Sequence, residues 1–240
     1  MSKGLIAITG ASSGIGKAIA QKFAKEGFPL LLMARRQEEM EALNIDNALI
    51  KKVDVTDADA IKKAIADAEK VYGPVECMIN NAGVMLLGDP VTQSPDEWQQ
   101  MFDVNVKGLL NGVSAVLPAM KERKGGTVIN IGSVAGRKTL GGHAVYCGTK
   151  FAVHAMTENM RMELSAHDVR FITIAPGATE SELISHTTND DIKNGYESWK
   201  NDIGGAISAD DVANSVYFAF AQPQNVCIRE IVLAPTRQEP

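Results

Sequence analysis

Seven short runs of β-branched and aliphatic residues alternate with longer helical patterns along this chain, and that alternation constrains its fold more than any other feature. The strand candidates are Leu5–Thr9, Pro29–Met33, Leu49–Val53, Val75–Asn80, Thr127–Ile131, Arg170–Ala175 and Glu230–Leu233. Helical periodicity occupies Ile15–Glu26, Gln37–Ala42, Asp57–Tyr72, Pro95–Glu122 with a break near Val104, Val145–His167 and Ala209–Ala221. Parallel neighbours cannot be joined by a tight turn, and a helix is the usual crossover, so strict alternation predicts βαβ units. The expected architecture is one α/β domain over residues 1–240, doubly wound around a mainly parallel seven-stranded sheet. Thr56-Asp57 and Ser208 precede helical patterns, where a side-chain oxygen can satisfy an orphan N–H. One stretch breaks the rhythm: Glu182–Ile207 is polar, carries Gly195, Gly204 and Gly205, and is expected to form a mobile flap.

Composition removes several classes of function. A net charge of −5 without a Lys/Arg cluster gives no electrostatic basis for binding nucleic acid. The longest apolar runs, such as Leu30–Ala34, are too short to span a bilayer, and no signal-peptide pattern opens the chain, so no membrane association and a cytoplasmic location are expected. Cys77, Cys147 and Cys227 show neither disulfide nor zinc spacing and are expected to be reduced thiols, with no metal bound.

The first strand candidate runs directly into TGASSGIG, which places Gly10, Gly14 and Gly16 around a turn that opens a helix. Glycine lets backbone approach a pyrophosphate, and the helix start offers unpaired N–H groups and partial positive charge. Dinucleotide sites of this kind place an acid about twenty residues further on, to hold a ribose 2′-hydroxyl. Ala34 stands there instead, followed by Arg35 and Arg36. A site without that carboxylate and with two guanidinium groups suits a 2′-phosphate, hence NADP(H).

These residues resemble the short-chain dehydrogenase/reductase family, and the resemblance extends over nearly the whole chain. TGASSGIG is similar to the family's glycine motif, which assigns Ser12, Ser13 and Ile15 to the cofactor along with the glycines. Asp54-Val55 resembles its adenine-contacting pair, and the NNAG segment, with Asn81, Ala82 and Gly83, resembles the one that supports the central sheet. Asn105, Ser133, Tyr146 and Lys150 resemble its catalytic tetrad. Pro176-Gly177, with Thr179 and Ser181, resembles the nicotinamide-side motif, Ser181 standing where the family often has Thr. The resemblance implies a Rossmann fold, hydride transfer on a small carbonyl or alcohol substrate, and a homo-oligomer, dimer or tetramer, paired through the long helices after the fourth and fifth strands.

The chemistry of the four residues supports those roles. Tyr146 and Lys150 are four apart in a helical stretch and therefore share a face. A free phenol titrates near pH ~10, and an adjacent ammonium together with the oxidised nicotinamide is expected to bring Tyr146 toward neutrality as acid/base. Lys150 would also contact the cofactor. Ser133 follows a strand and can orient the same substrate oxygen; Asn105 can bend its helix and, by resemblance, hold a water that serves Lys150. His143 and His154 flank the tyrosine without a partnered carboxylate in the sequence and are not assigned as bases. Two alternatives stay open: reduction of 3-oxoacyl groups on an acidic carrier protein, received by Arg137 and Lys138, and a non-catalytic NADP(H)-binding redox sensor. Substrates considered are ketones, secondary alcohols and 3-hydroxy acids.

Overall fold

A computed structural model describes residues 3–239; residues 1, 2 and 240, at the ends of the expected domain, lie outside them. Strand β1 (Leu5–Thr9) leads into α1 (Gly14–Lys25), β2 (Leu30–Ala34) into the short α2 (Gln37–Glu41), and β3 (Ala48–Lys52) into α3 (Ala58–Tyr72). Strand β4 (Val75–Asn80) is followed by α4 (Pro95–Phe102) and α5 (Leu109–Arg123), and β5 (Gly126–Ile131) by α6 (Ala144–Leu164). The chain finishes with β6 (Val169–Pro176), α7 (Asp190–Asp202), α8 (Ala209–Phe220) and β7 (Glu230–Leu233). All strand pairs are parallel, in the order β3-β2-β1-β4-β5-β6-β7. The chain is thus a single α/β domain of Rossmann type.

Continuous apolar strands follow from burial on both faces. Alternate residues of one strand enter different cores: Ile6 and Ile8 join Ile19, Phe23, Val216 and Phe220 beneath α1 and α8. Leu5 and Ala7 join Ile61, Ile65, Val113 and Val116 beneath α3 and α5. Moving a strand by one residue would exchange the two sets, so the sheet register is strongly specified.

Three departures from the sequence expectations have local causes. Strand β2 begins at Leu30 because Pro29 has no N–H to donate; its carbonyl still accepts from Ile6 N at 3.0 Å. The break near Val104 is a π-helical turn over Asp103–Gly108, which joins α4 to α5 without ending the helix. The stretch 182–207 is not irregular throughout, for it contains α7. Asn189 caps that helix, its side chain accepting from Ile192 N at 3.1 Å, and Ile192, Tyr196, Trp199 and Ile203 recur at helical spacing. Polarity on the other face and Gly195 in the middle concealed this period.

One buried charge ties the last elements together. Arg170, 6% exposed on β6, donates to the Thr127 hydroxyl and to the carbonyls of Phe220, Gln222 and Val226 at 2.8–3.2 Å. These are acceptors that the end of α8 and the following loop leave unpaired. Replacing Arg170 by Met keeps the apolar stem and orphans the carbonyls, so unfolding in urea should show a loss of about 2–4 kcal/mol. A loss below about 0.5 kcal/mol would show that water satisfies them equally well.

Candidate active site

The strand order reverses between β1 and β4, so the connections leave in opposite directions and open a crevice at the carboxyl ends. The turn after β1 occupies it. Gly10 has φ +66 and Gly14 φ +49, conformations that side chains resist. A Cβ on Gly16 would run into the Gly10 carbonyl, so the third glycine is needed for the turn to close on α1. Thr9 and Asn81 clamp that turn: the Thr9 hydroxyl accepts from Asn81 N and Ala82 N at 3.0 and 3.1 Å, and Asn81 Nδ2 donates to the carbonyls of Thr9 and Gly10. Ser13 is the N-cap residue of α1 but makes no side-chain capping bond, and the first turn has no acid. By contrast α3, α4, α7 and α8 are all capped by their own side chains. The start of α1 therefore presents its N–H groups and dipole to the crevice.

One cavity of about 1050 Å³ runs from this turn across the sheet edge. Gly10, Ser12, Ser13, Gly14 and Ile15 line one part of it, and Arg35, Arg36, Asp54 and Val55 border the adjacent end. Asn81, Ala82 and Gly83 form the middle. Ser133, Tyr146, Lys150, Pro176, Gly177 and Thr179 lie at the far side, and Ser181 stands against Gly14 of the glycine turn. Of the residues that the sequence assigns to the cofactor or to catalysis, only Gly16 and Asn105 are not on its wall; both stand behind it. Burial opposes the charge of Asp54, but the N–H and hydroxyl of Thr56 and the nearby Arg35 guanidinium hold its pKa below the ordinary value.

Tyr146 and Lys150 emerge from α6 on one face, and both are buried, 5% and 6% exposed. Lys150 Nζ lies 5.8 Å from the centre of the Tyr146 ring and donates to the Ile131 carbonyl at 2.9 Å. Burial raises the Tyr146 pKa above its ordinary value, only partly opposed by a hydrogen bond with Ser133, so the phenol keeps its proton at neutral pH. Burial also pushes Lys150 down from 10.5 to about 8. Ser133 lies just beyond β5 and accepts from Ala135 N at 3.1 Å, so the strand-end cap is real and coexists with the contact to Tyr146.

Asn105 sits in the π-helical turn with its amide fully engaged. It accepts from Val84 N at 2.8 Å and donates to Val84 O at 2.9 Å and to the Thr149 hydroxyl at 3.1 Å. Thr149 in turn donates to the Tyr146 carbonyl at 2.7 Å. Both amide protons are thus spent on fixing the loop after β4 against α6. His154, set aside as a base, instead supports the strand end: its Nε2 accepts from Ser133 N at 3.3 Å, and Glu230 lies 3.3 Å from its other nitrogen. Gly132 and Gly136 leave the room that its ring fills. The contacts of Thr9 with Asn81, of Thr149 with Asn105 and of His154 with Ser133 and Glu230 carry no sequence signal, since those partners are distant in the chain. Among the described residues the three cysteines are free, no group of side chains has metal-ligand geometry, and no helix is long and apolar enough to cross a membrane.

A parallel sheet with an uncapped helix start at its switch point and a buried Tyr–Lys–Ser group beside it defines a dinucleotide-dependent class of enzyme. The chain belongs to the short chain dehydrogenase family, whose model matches residues 4–192. It is 40% identical over 242 residues to an uncharacterised oxidoreductase of Listeria monocytogenes, covering 98% of this chain and 97% of that one. It is 37% identical to a serine 3-dehydrogenase of Rhizobium radiobacter, covering 98% and 95%. Among solved structures, the closed form of a serine dehydrogenase complexed with NADP+ superposes with a TM-score of 0.92 at 32% identity, covering 98% of this chain and 96% of that one. The serine dehydrogenase of Escherichia coli gives 0.85 at 31%, covering 98% and 100%.

The buried ammonium has a cost that can be measured. The folded chain holds the Lys150 proton less tightly than the unfolded chain, so the penalty is complete below about pH 8 and fades as pH rises to 10.5. A shift of this size corresponds to roughly 3 kcal/mol. Lys150→Met, which keeps the stem and drops the charge, should therefore raise stability at pH 7 by about 2–3 kcal/mol, the gain shrinking by pH 10. Urea unfolding at the two pH values checks it; a variant no more stable than wild type at pH 7 would mean that the ammonium is solvated.

Proposed function

We propose that the protein is an NADP(H)-dependent oxidoreductase that interconverts a carbonyl and a secondary alcohol of a small substrate. The observation that carries this reading is the convergence of Tyr146, Ser133 and Lys150 on the same cavity as the glycine turn, the uncapped start of α1 and Arg36. The donor set suits the cofactor. The α1 N-terminus and the glycines suit a pyrophosphate, and Arg36, whose guanidinium lies at the Ser12 and Ser13 hydroxyls, suits a 2′-phosphate. When bound, the nicotinamide supplies or takes up the hydride.

The rest of the chemistry belongs to the chain. In reduction, protonated Tyr146 gives its proton to the carbonyl oxygen, which the Ser133 hydroxyl holds in place. The phenolate left behind is stabilised by the Lys150 ammonium on the same helix face. In oxidation, the phenolate takes the proton back. Asn105, through Val84 and Thr149, fixes the two segments that aim these groups. The wall around Tyr146 is apolar, with Met85, Leu140, Ile184 and Tyr196 packed in one cluster, and suits the carbon skeleton of a small substrate. Ketones and 3-hydroxy acids both suit this chemistry, and the relatives named as serine dehydrogenases support the second class.

Arg137, which a carrier protein would need, is instead paired with Glu230, and an intact buried acid/base group has no use in a redox sensor. The flap reading of 182–207 is retained with α7 as its rigid part. Exposed Leu110, Phe151 and Met162 on α5 and α6 support a homo-oligomer paired through those helices, and the free thiols suit a cytoplasmic location.

Tyr146→Phe tests the assignment. It removes one oxygen from a buried site, so NADPH binding measured by fluorescence should be kept while kcat falls by ~10²-fold or more. Turnover equal to wild type on any active substrate would remove Tyr146 from the mechanism.

A further inference from the structure

Arg36 makes a contact that no step of the proposed reaction uses. Its Nη2 donates to the Ser13 hydroxyl at 2.8 Å and also reaches Glu182 Oε2 at 2.8 Å, with the Ser12 hydroxyl at 3.4 Å. Glu182 follows Arg36 by 146 residues and opens the segment that carries α7. Its neighbour Ser181 rests on the glycine turn, where a Cβ on Gly14 would come within 3.2 Å of the serine Cβ. The end of β2 offers Ala34 where an acid would repel a 2′-phosphate, yet the fold returns a carboxylate to the same guanidinium from elsewhere in the chain.

We infer that Glu182 is a specificity-determining residue that competes with the 2′-phosphate of NADP(H) for Arg36 and Ser13. The inference rests on the reading of Arg36 as part of the 2′-phosphate site. Carboxylate and phosphate present the same acceptor oxygens to a guanidinium, so one displaces the other. The pair is half exposed, 49% and 56% at the side chains, so its attraction is screened and a dianion breaks it readily. A ligand with a plain ribose hydroxyl leaves the tether in place. The 2′-phosphate must therefore separate Glu182 from Arg36, which couples phosphate recognition to the mobility of 182–207, and linkage makes that coupling reciprocal. His186 lies near both Glu182 and the two guanidiniums, burial and those cations hold its pKa below the ordinary value, and its Nδ1 is buried with no hydrogen-bond partner among the described residues.

The test uses the full chain and two probes without nicotinamide, adenosine 2′,5′-bisphosphate and 5′-AMP, titrated calorimetrically at one ionic strength. Glu182→Gln removes the charge and keeps the shape. It should bind the bisphosphate about three- to tenfold more tightly than wild type does, with 5′-AMP unchanged, because a guanidinium is released and a repulsion is removed. Arg36→Ala should abolish the preference for the bisphosphate in either background. An unchanged bisphosphate affinity in Glu182→Gln, with Arg36→Ala still weakening it, would overturn the competition and leave the 2′-phosphate site standing. An equal gain for both probes would likewise overturn it, since that is general loosening. Equal binding of the two probes by wild type would overturn the phosphate site and the inference together.

Discussion

The functional architecture hangs on the clamp between Thr9 and Asn81. At the switch point β1 and β4 are neighbours whose connections diverge, and nothing in the sheet ladder itself decides where the two following turns go. The Thr9 hydroxyl accepts two backbone N–H groups from the β4 side, and the Asn81 amide returns two bonds to the β1 side. The glycine turn is thereby held against the loop after β4, and Gly10 approaches so closely that a side chain there would strike Ala82. The same loop then passes Val84 to Asn105, and Asn105 passes to Thr149 on α6, one turn from Tyr146. A short run of hydrogen bonds and connecting backbone thus links the glycine turn to Tyr146.

The site is held together at the expense of stability. Tyr146 and Lys150 are both driven toward their neutral forms by burial, which is unfavourable for the lysine and keeps the phenol protonated. The surroundings compensate by geometry. Lys150 has the Ile131 carbonyl, Ser133 has His154 on its amide and Ala135 on its hydroxyl, and Tyr146 packs in the apolar cluster that includes Met85 and Tyr196. Preorganised groups stabilise charge that develops during a reaction without the reorganisation that water would need.

Much of this was legible in the sequence because it depends on local pattern. The succession of strands and helices along the chain follows from apolar runs and helical periods, and the glycine turn from residue spacing. What was hidden depends on contacts between distant segments. Asn105 marks a helix irregularity in sequence, but that its amide is spent on Val84 and Thr149 requires the fold. The spacing of Tyr146 and Lys150 shows that they share a helix face, but how deeply the fold buries both side chains is set by distant segments. Helix α7 was obscured because a polar, exposed helix carries few apolar positions, although Ile192, Tyr196, Trp199 and Ile203 do keep its period. Glu182 gave no signal at all, since the carboxylate missing at the end of β2 arrives from 146 residues away.

The central claim is that hydride and proton reach one carbonyl group by separate routes, the first from the cofactor and the second through Tyr146. Isotope transfer tests it most directly. The protein would be incubated with NADPH deuterated at the transferable C4 position and a panel of small ketones and 3-oxo acids, and the products analysed by mass spectrometry. The account predicts an alcohol carrying one deuterium on its carbinol carbon, with an unlabelled, solvent-exchangeable hydroxyl. Alcohol formed without deuterium on carbon, or no alcohol from any member of the panel while NADPH is bound, would contradict it.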